Sequence, residues 1–351
     1  MFDGKENKLL LDDTQVDAVD RCCDLKIRIV PVTGAAGTGK TTILQNVFRR
    51  LHKQEHSVVL CAPTGKAAKR ITEATGIPAQ TIHRLLEYPH PGEVDPKTGK
   101  TLLTSDPKKD RRNPIAAKVI LVDEYAMVSV EVHRNLLDAM PPGGVIRMFG
   151  DANQLQPIET NKRLQAEPSS FLKMIEKFDG IRLETIHRQA NDSAIITNGQ
   201  RIIKGECPLR KDDFKLVFSQ SPVDAVISFI MDNLAIDIDF GGTTNQIISP
   251  TKKGWIGTEA LNASIQQVLQ PSHKAFITAE RQKWSTIEEQ RFYVGDKVIF
   301  TVNNYGLDVF NGETGIITLF NADGSITVDF GDKDITIPVS QEMEGRNGTY
   351  Y

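Results

Sequence analysis

A chain of 351 residues exceeds one ordinary domain, and two or three are expected. With 40% hydrophobic and 25% charged residues it has the make-up of a globular protein, and no apolar run is long enough to span a membrane. A net charge of −3 argues against a nucleic-acid binder that relies on bulk electrostatics, though not against one that grips a strand at a few points.

In chain order, the N-terminal stretch from Met1 to Asp13 is charged at once and lacks an apolar core, which argues against secretion. Cys22 and Cys23 are adjacent while Cys61 and Cys207 stand alone, so neither a disulfide framework nor a zinc site is expected. A cytoplasmic location follows as the expectation.

Residues 27–33 form a short β-rich run, and Ile43, Leu44, Val47, Phe48 and Leu51 then recur at helical spacing. Between them stands Gly34-Ala35-Ala36-Gly37-Thr38-Gly39-Lys40-Thr41-Thr42, a complete G-x-x-x-x-G-K-[ST] pattern in the strand–loop–helix setting it requires. The glycines let the backbone wind tightly, so that successive N–H groups point at one phosphate beside a helix N-terminus. Lys40 would neutralise the terminal phosphates of ATP, and the Thr41 hydroxyl would ligate Mg²⁺.

After a strand at 58–61, an insertion at about 86–117 carries a hairpin signal from Glu93 to Lys100. Lys100, Lys108, Lys109, Arg111, Arg112 and Lys118 crowd this region, as a solvated loop or as a contact with DNA. Val119–Val122 is continuously apolar, the pattern of a strand buried in a parallel sheet, and it ends in Asp123-Glu124. Two carboxylates are thereby placed at the carboxyl edge of the sheet, where open α/β folds bind ligands. Asp123 would hold Mg²⁺, and Glu124 would orient and deprotonate the attacking water. A third buried strand, residues 145–149, leads into Gly150-Asp151 and Gln154, a glutamine able to touch a γ-phosphate. Val223, Val226, Phe229, Ile230 and Leu234 are helix-spaced core residues. A β-hairpin is expected from Ile316 to Phe330 around a turn at Asn321–Gly324.

Taken together, these segments resemble the superfamily 1 helicases, and later ones resemble the RecD-like (RecD/Dda-type) group, from about residue 9 to about residue 345. Leu11–Val19 resembles the element whose glutamine, here Gln15, reads the adenine edge. Ala62–Arg70 is similar to motif Ia, Thr81–Leu86 to motif Ib, and Gly150–Pro157 to motif III. Leu183–Gln189 resembles motif IV, whose arginine, here Arg188, reaches the γ-phosphate from the second domain. Asp123-Glu124-Tyr125-Ala126-Met127 stands where the group usually has Asp-Glu-Ala-Ser-Met, so Tyr125 and Ala126 depart from it. Ile248–Gln266 looks like the RecD-like second motor domain, and Phe292–Gly315 like the SH3-like barrel inserted in it.

The resemblance implies an α/β fold of RecA-like phosphate-loop motor domains plus a small SH3-like β-barrel. A first RecA-like domain is expected over 1–180, the start of a second over 181–285, the barrel over 286–345 and a tail over 346–351. It also implies single-stranded DNA and single/double-strand junctions as partners, 5′→3′ travel, and a pin that splits the duplex in the 86–117 insertion. Pro63, Thr64, Lys66 and His83 in the first domain and Thr251 and Asn262 in the second would touch the strand. Replication, recombination or repair proteins are further candidate partners. The group's last two motor motifs do not occur before Tyr351, and the expectation is a shortened chain. Two other readings stay open: a nucleotide-gated DNA-binding module that does not step, and a phosphate-loop ATPase acting on protein partners.

Overall fold

Strands with no polar alternation need cover on both faces, and the first part of the chain supplies it with helices between successive parallel strands. The computed structural model describes residues 11–89, 106–159, 161–185, 193–234, 245–276, 285–287, 290–301, 304, 306, 307, 309, 312–331 and 333–338. They fall into two units, Met1–Phe214 and Lys215–Tyr351.

In the first unit, β1 (Ile29–Gly34), β2 (Val58–Ala62), β3 (Ala79–Thr81), β4 (Val119–Val122), β5 (Val145–Gly150) and β6 (Ile181–Leu183) form one sheet in the order β3-β2-β4-β5-β1-β6. Every pairing is parallel, with Ile29 opposite Ile146, Val119 opposite Val145 and Val32 opposite Ile181. All the carboxyl ends therefore meet at one edge. Helices α1 (Asp13–Cys23), α2 (Lys40–Lys53) and α3 (Gly65–Thr75) cover one face, burying Ala18, Ile43, Leu44, Val47 and Ile71. On the other, α4 (Ile82–Leu85), α5 (Val130–Asp138) and, beyond the short α6 (Lys162–Gln165), α7 (Ser170–Lys177) bury Leu85, Leu136, Phe171 and Ile175. Strand β4 divides its side chains accordingly: Val119 and Leu121 join the first core, Ile120 and Val122 the second. Helix α8 (Ala194–Ile203) ends the regular elements of this unit.

Two features depart from a simple reading of the pattern. Strand β6 lies beyond residue 180, where a domain boundary is expected, yet it pairs with β1. Strand β5, apolar but for one residue, carries a fully buried arginine. Arg147 donates to the carbonyls of Cys22 at 2.6 Å, Ile27 at 2.9 Å, Asp24 at 2.9 Å and Ile146 at 3.1 Å. Backbone oxygens thus satisfy a charge that an apolar core would otherwise exclude, and burial lowers the pKa of the guanidinium.

The second unit contains α9 (Pro222–Leu234) and α10 (Thr258–Phe276), a pair β7 (Ser285–Ile287) and β8 (Gln290–Phe292), and a meander of β9 (Lys297–Ile299), β10 (Thr314–Phe320), β11 (Ile326–Asp329) and β12 (Asp334–Ile337). The meander is antiparallel throughout, with a bulge between Ile317 and Leu319. Phe292, Val298, Phe300, Val309, Ile317, Ile326, Val328, Ile335 and Ile337 form its core. This is the SH3-like part, and the hairpin expected at 316–330 is its β10–β11 pair. Among the described residues of 193–276 there are three helices and one isolated bridge, Lys211 to Phe214, but no strand.

Candidate nucleotide and strand-contact sites

The phosphate loop leaves the carboxyl end of β1 and enters α2. Gly37 and Gly39 both have φ +85°, in the left-handed region that glycine tolerates. Gly39 is the N-cap of α2 and brings no capping side chain, so the N–H groups of the first turn face the loop. A Cβ at Gly39 would meet Gln15 Nε2 at 2.4 Å, and one at Gly34 would meet Thr38 Oγ1 at 2.4 Å and Leu183 Cβ at 2.9 Å. The loop is therefore fitted to its neighbours through missing side chains. Thr38 Oγ1 donates to the Ala35 carbonyl at 2.9 Å, and Lys40 Nζ to the Gly34 and Ala35 carbonyls at 2.6 and 2.9 Å, which keeps the ammonium at the loop.

Gln15 reaches the same loop from α1. Its Nε2 donates to the Thr38 carbonyl at 3.0 Å, and its Oε1 accepts from the Asp12 N–H at 3.2 Å within a capping box. It is buried against the loop.

Because β5 lies between β1 and β4, the turn after β5 separates the phosphate loop from the acidic pair. The Thr33 hydroxyl accepts from the Ala152 N–H at 3.0 Å, tying that turn to β1. Asp151 is buried and caps the Asn153 N–H at 2.9 Å, whereas Gln154 is exposed. At the end of β4, burial pushes the Asp123 carboxyl up to about 6, against its bond from the Glu124 N–H and the charges of Lys40 and Arg70. Arg70, on α3, was not expected at this site; its position follows from the packing of α3, which no local pattern reveals. Glu124 has φ +51° and ψ +38°, and its Oε2 is buried with no hydrogen-bond partner among the described residues. Such an oxygen suits a water or ligand proton. Thr41 is exposed in the first turn of α2, directly after Lys40. Together with the Asp123 carboxylate it offers hard oxygen donors, the chemistry that Mg²⁺ takes.

The strand-contact candidates of the first unit follow β2 and β3, on the part of the sheet edge away from the phosphate loop. Thr64 is the N-cap of α3, its Oγ1 accepting from the Ala67 N–H at 3.2 Å, with the half-buried Pro63 before it. Lys66 is exposed on the first turn of that helix. His83 is exposed on α4, its ring 4.7 Å from that of Tyr88. In the second unit, Thr251 is exposed in a loop closed by the Thr258 N–H on the Thr251 carbonyl at 3.0 Å, and Asn262 is exposed on α10. In the basic stretch, Arg111 pairs with Asp138 and Lys109 lies 3.4 Å from Glu87. Some of this charge is thus spent within the fold. Arg188, the hairpin signal at 93–100 and the tail at 346–351 lie outside the described residues. No described helix is long and apolar enough to cross a membrane.

A parallel sheet with a phosphate loop after β1, paired carboxylates after β4 and a strand between them defines a RecA-like phosphate-loop nucleotide-binding domain. Comparison with known proteins narrows the class. A family model described as an AAA domain matches residues 10–217, and one described as the ATP-dependent RecD-like DNA helicase SH3 domain matches residues 261–330. The chain belongs to this AAA-domain family, in the RecD-like group of superfamily 1B. It is 30% identical over 304 residues to the ATP-dependent RecD2 DNA helicase of Deinococcus radiodurans, covering 86% of this chain and 38% of that protein. Identity to the RecBCD enzyme subunit RecD of Mycobacterium tuberculosis is 24% over 318 residues, covering 82% of this chain and 53% of the subunit. Among solved structures, one on DNA unwinding at forked double-stranded DNA by two coordinating Pif1 helicases shares the fold, with a TM-score of 0.50 and 19% identity over 93% of this chain and 76% of that one. The chain spans about two fifths to a half of the length of these two sequence relatives.

Proposed function

We propose that this chain is a DNA helicase motor that hydrolyses ATP to move 5′→3′ along single-stranded DNA and to open single/double-strand junctions. The observation that carries the reading is the complete phosphate loop and the Asp123-Glu124 pair at one carboxyl edge of the sheet, with the Lys40 charge acting on the Asp123 carboxyl. The Deinococcus radiodurans relative, named as an ATP-dependent DNA helicase, supports the choice of DNA.

Each residue then has a task. The loop N–H groups from Gly34 to Thr42 receive the phosphates, Lys40 neutralises them, and Gln15 sits where the adenine edge arrives. Thr41 and Asp123 would hold Mg²⁺, which would supply charge neutralisation at the terminal phosphates. Glu124 accepts the proton of the attacking water through its unpartnered Oε2. Gln154 and Arg188 sense the γ-phosphate. Pro63, Thr64, Lys66 and His83 in the first unit, and Thr251 and Asn262 in the second, are the side chains assigned to the strand, by sugar–phosphate and stacking contacts.

The test combines two variants. Lys40→Ala should abolish most nucleotide binding, and Glu124→Gln should keep binding but lose hydrolysis by about 100-fold or more. Phosphate release should rise when a single-stranded oligonucleotide is added. Normal turnover in Glu124→Gln overturns the assignment of the base. Hydrolysis indifferent to DNA favours an ATPase acting on protein partners.

A further inference from the structure

Tyr125 follows directly on Glu124, is fully buried, and is one of the two positions where the segment departs from its group. Its hydroxyl shares a hydrogen bond of 2.8 Å with His133 Nδ1, from the middle of α5, and the two rings meet edge-on at 5.9 Å. On its other side the Tyr125 ring lies 5.8 Å from that of Phe171 on α7. Phe171 in turn packs against the start of motif III: a Cβ at Gly150 would stand 2.9 Å from its ring and 3.0 Å from the Ala126 nitrogen. Two helices thus grip one side chain, and that side chain is covalently next to the carboxylate proposed as the base.

The grip has a physical task. Glu124 is held at a positive φ, which a non-glycine residue adopts only when its surroundings impose it. The local bonds of the turn, Met127 N–H to the Glu124 carbonyl and Val128 N–H to the Tyr125 carbonyl, both 3.0 Å, close a single 3₁₀ turn. One such turn is a weak restraint on a strained residue. Anchoring the next side chain in the core supplies the rest, because a rotation at Glu124 that relaxed φ would drag the Tyr125 ring out of its packing.

We propose that Tyr125, through its hydrogen bond to His133 and its seat on Phe171, is a positioning residue that holds Glu124 in the conformation competent to take the water's proton. Tyr125 touches no reacting atom. The proposal rests on the reading of Glu124 as the base, and the experiment separates the two.

Single-turnover and steady-state ATP hydrolysis are measured on the full chain, with and without a single-stranded oligonucleotide, for the parent, Glu124→Gln, Tyr125→Phe, His133→Leu, His133→Asn and the double variant Tyr125→Phe/His133→Leu. Tyr125→Phe keeps the ring and removes one hydrogen bond, so kcat should fall about tenfold while the KM for ATP and the affinity for a non-hydrolysable analogue stay within about twofold. His133→Leu should match it, the double variant should be no worse than either single one, and His133→Asn, whose amide can occupy the Nδ1 position, should recover most of the rate. In the Glu124→Gln background, Tyr125→Phe should change the residual rate no further. Unchanged kcat in Tyr125→Phe, or a loss that persists undiminished in the Glu124→Gln background, overturns the positioning role. So does a lowered thermal midpoint accompanied by equal losses in kcat and affinity. If Glu124→Gln itself hydrolyses like the parent, the base assignment fails and the proposal falls with it.

Discussion

Glycine at residue 39 is required twice over, by its φ of +85° and by the Gln15 amide standing where a Cβ would be. Gly39→Ala should therefore cost about 1–2 kcal/mol in folding and lower ATP affinity more than it lowers stability, since it also displaces Gln15 from the loop. Nucleotide titration beside thermal melting of the same samples checks the ranking; equal losses would mean that the contact serves the fold alone. His133 gives a prediction in pH. Burial pushes its imidazole from 6.5 down to about 4, so the folded state favours the neutral ring. Between these values the unfolded chain binds more protons, and stability rises with pH there. This contribution is complete above about 6.5 and is lost as pH falls toward 4. Asp123 acts in the opposite sense, its carboxyl being raised from 3.8 to about 6, so the parent's net slope is blunted. The His133 share is isolated by denaturant unfolding of the parent against His133→Asn: the difference in stability should shift against the parent by up to about 3 kcal/mol between pH 7 and pH 4. A constant difference would rule out the half-buried neutral histidine.

At the scale of single elements, the sheet was legible where apolar runs were unbroken. Ile29–Gly34, Val119–Val122 and Val145–Gly150 emerge as strands close to where their composition places them, and the loop between β1 and α2 emerges from its glycines. What lay hidden was tertiary. Arg147 interrupts an apolar run, and only the fold reveals that carbonyls at the end of α1 and in the α1–β1 connection come within reach of its guanidinium. The left-handed turn at Glu124 and the Tyr125–His133 pair belong to the same class: they need helix α5 packed in place before any pattern can show them. For Arg147 the consequence is measurable. Arg147→Met keeps the stem's packing but strands several buried carbonyls, so it should destabilise the first unit by about 3 kcal/mol, visible as a lower denaturation midpoint. A variant as stable as the parent would mean that water replaces the guanidinium.

For the whole molecule, the boundary of the first unit decides what can be cut. Residue 180 is a natural reading of where one motor domain gives way to the next, since Leu183–Gln189 resembles a motif of the second. The chain pairs β6 with β1 instead, burying Ile181 and Leu183, and Leu183 stands beside Gly34 at the start of the phosphate loop. Sequence patterning gave no warning because a three-residue strand carries too little periodicity to be read. A fragment ending at Phe214 keeps β6 together with α8, and should fold cooperatively and bind ATP. A fragment ending at residue 180 loses two buried aliphatic side chains and exposes the edge of β1, a loss of about 3–5 kcal/mol, comparable to the whole stability of many domains. The effect should concentrate on the nucleotide site, because β1 carries the loop. Thermal unfolding and nucleotide binding of the two fragments provide the comparison. If the shorter one melts with the longer one and binds ATP equally well, β6 is an accessory edge strand, and the placement of Gly34 against Leu183 has no bearing on the phosphate loop.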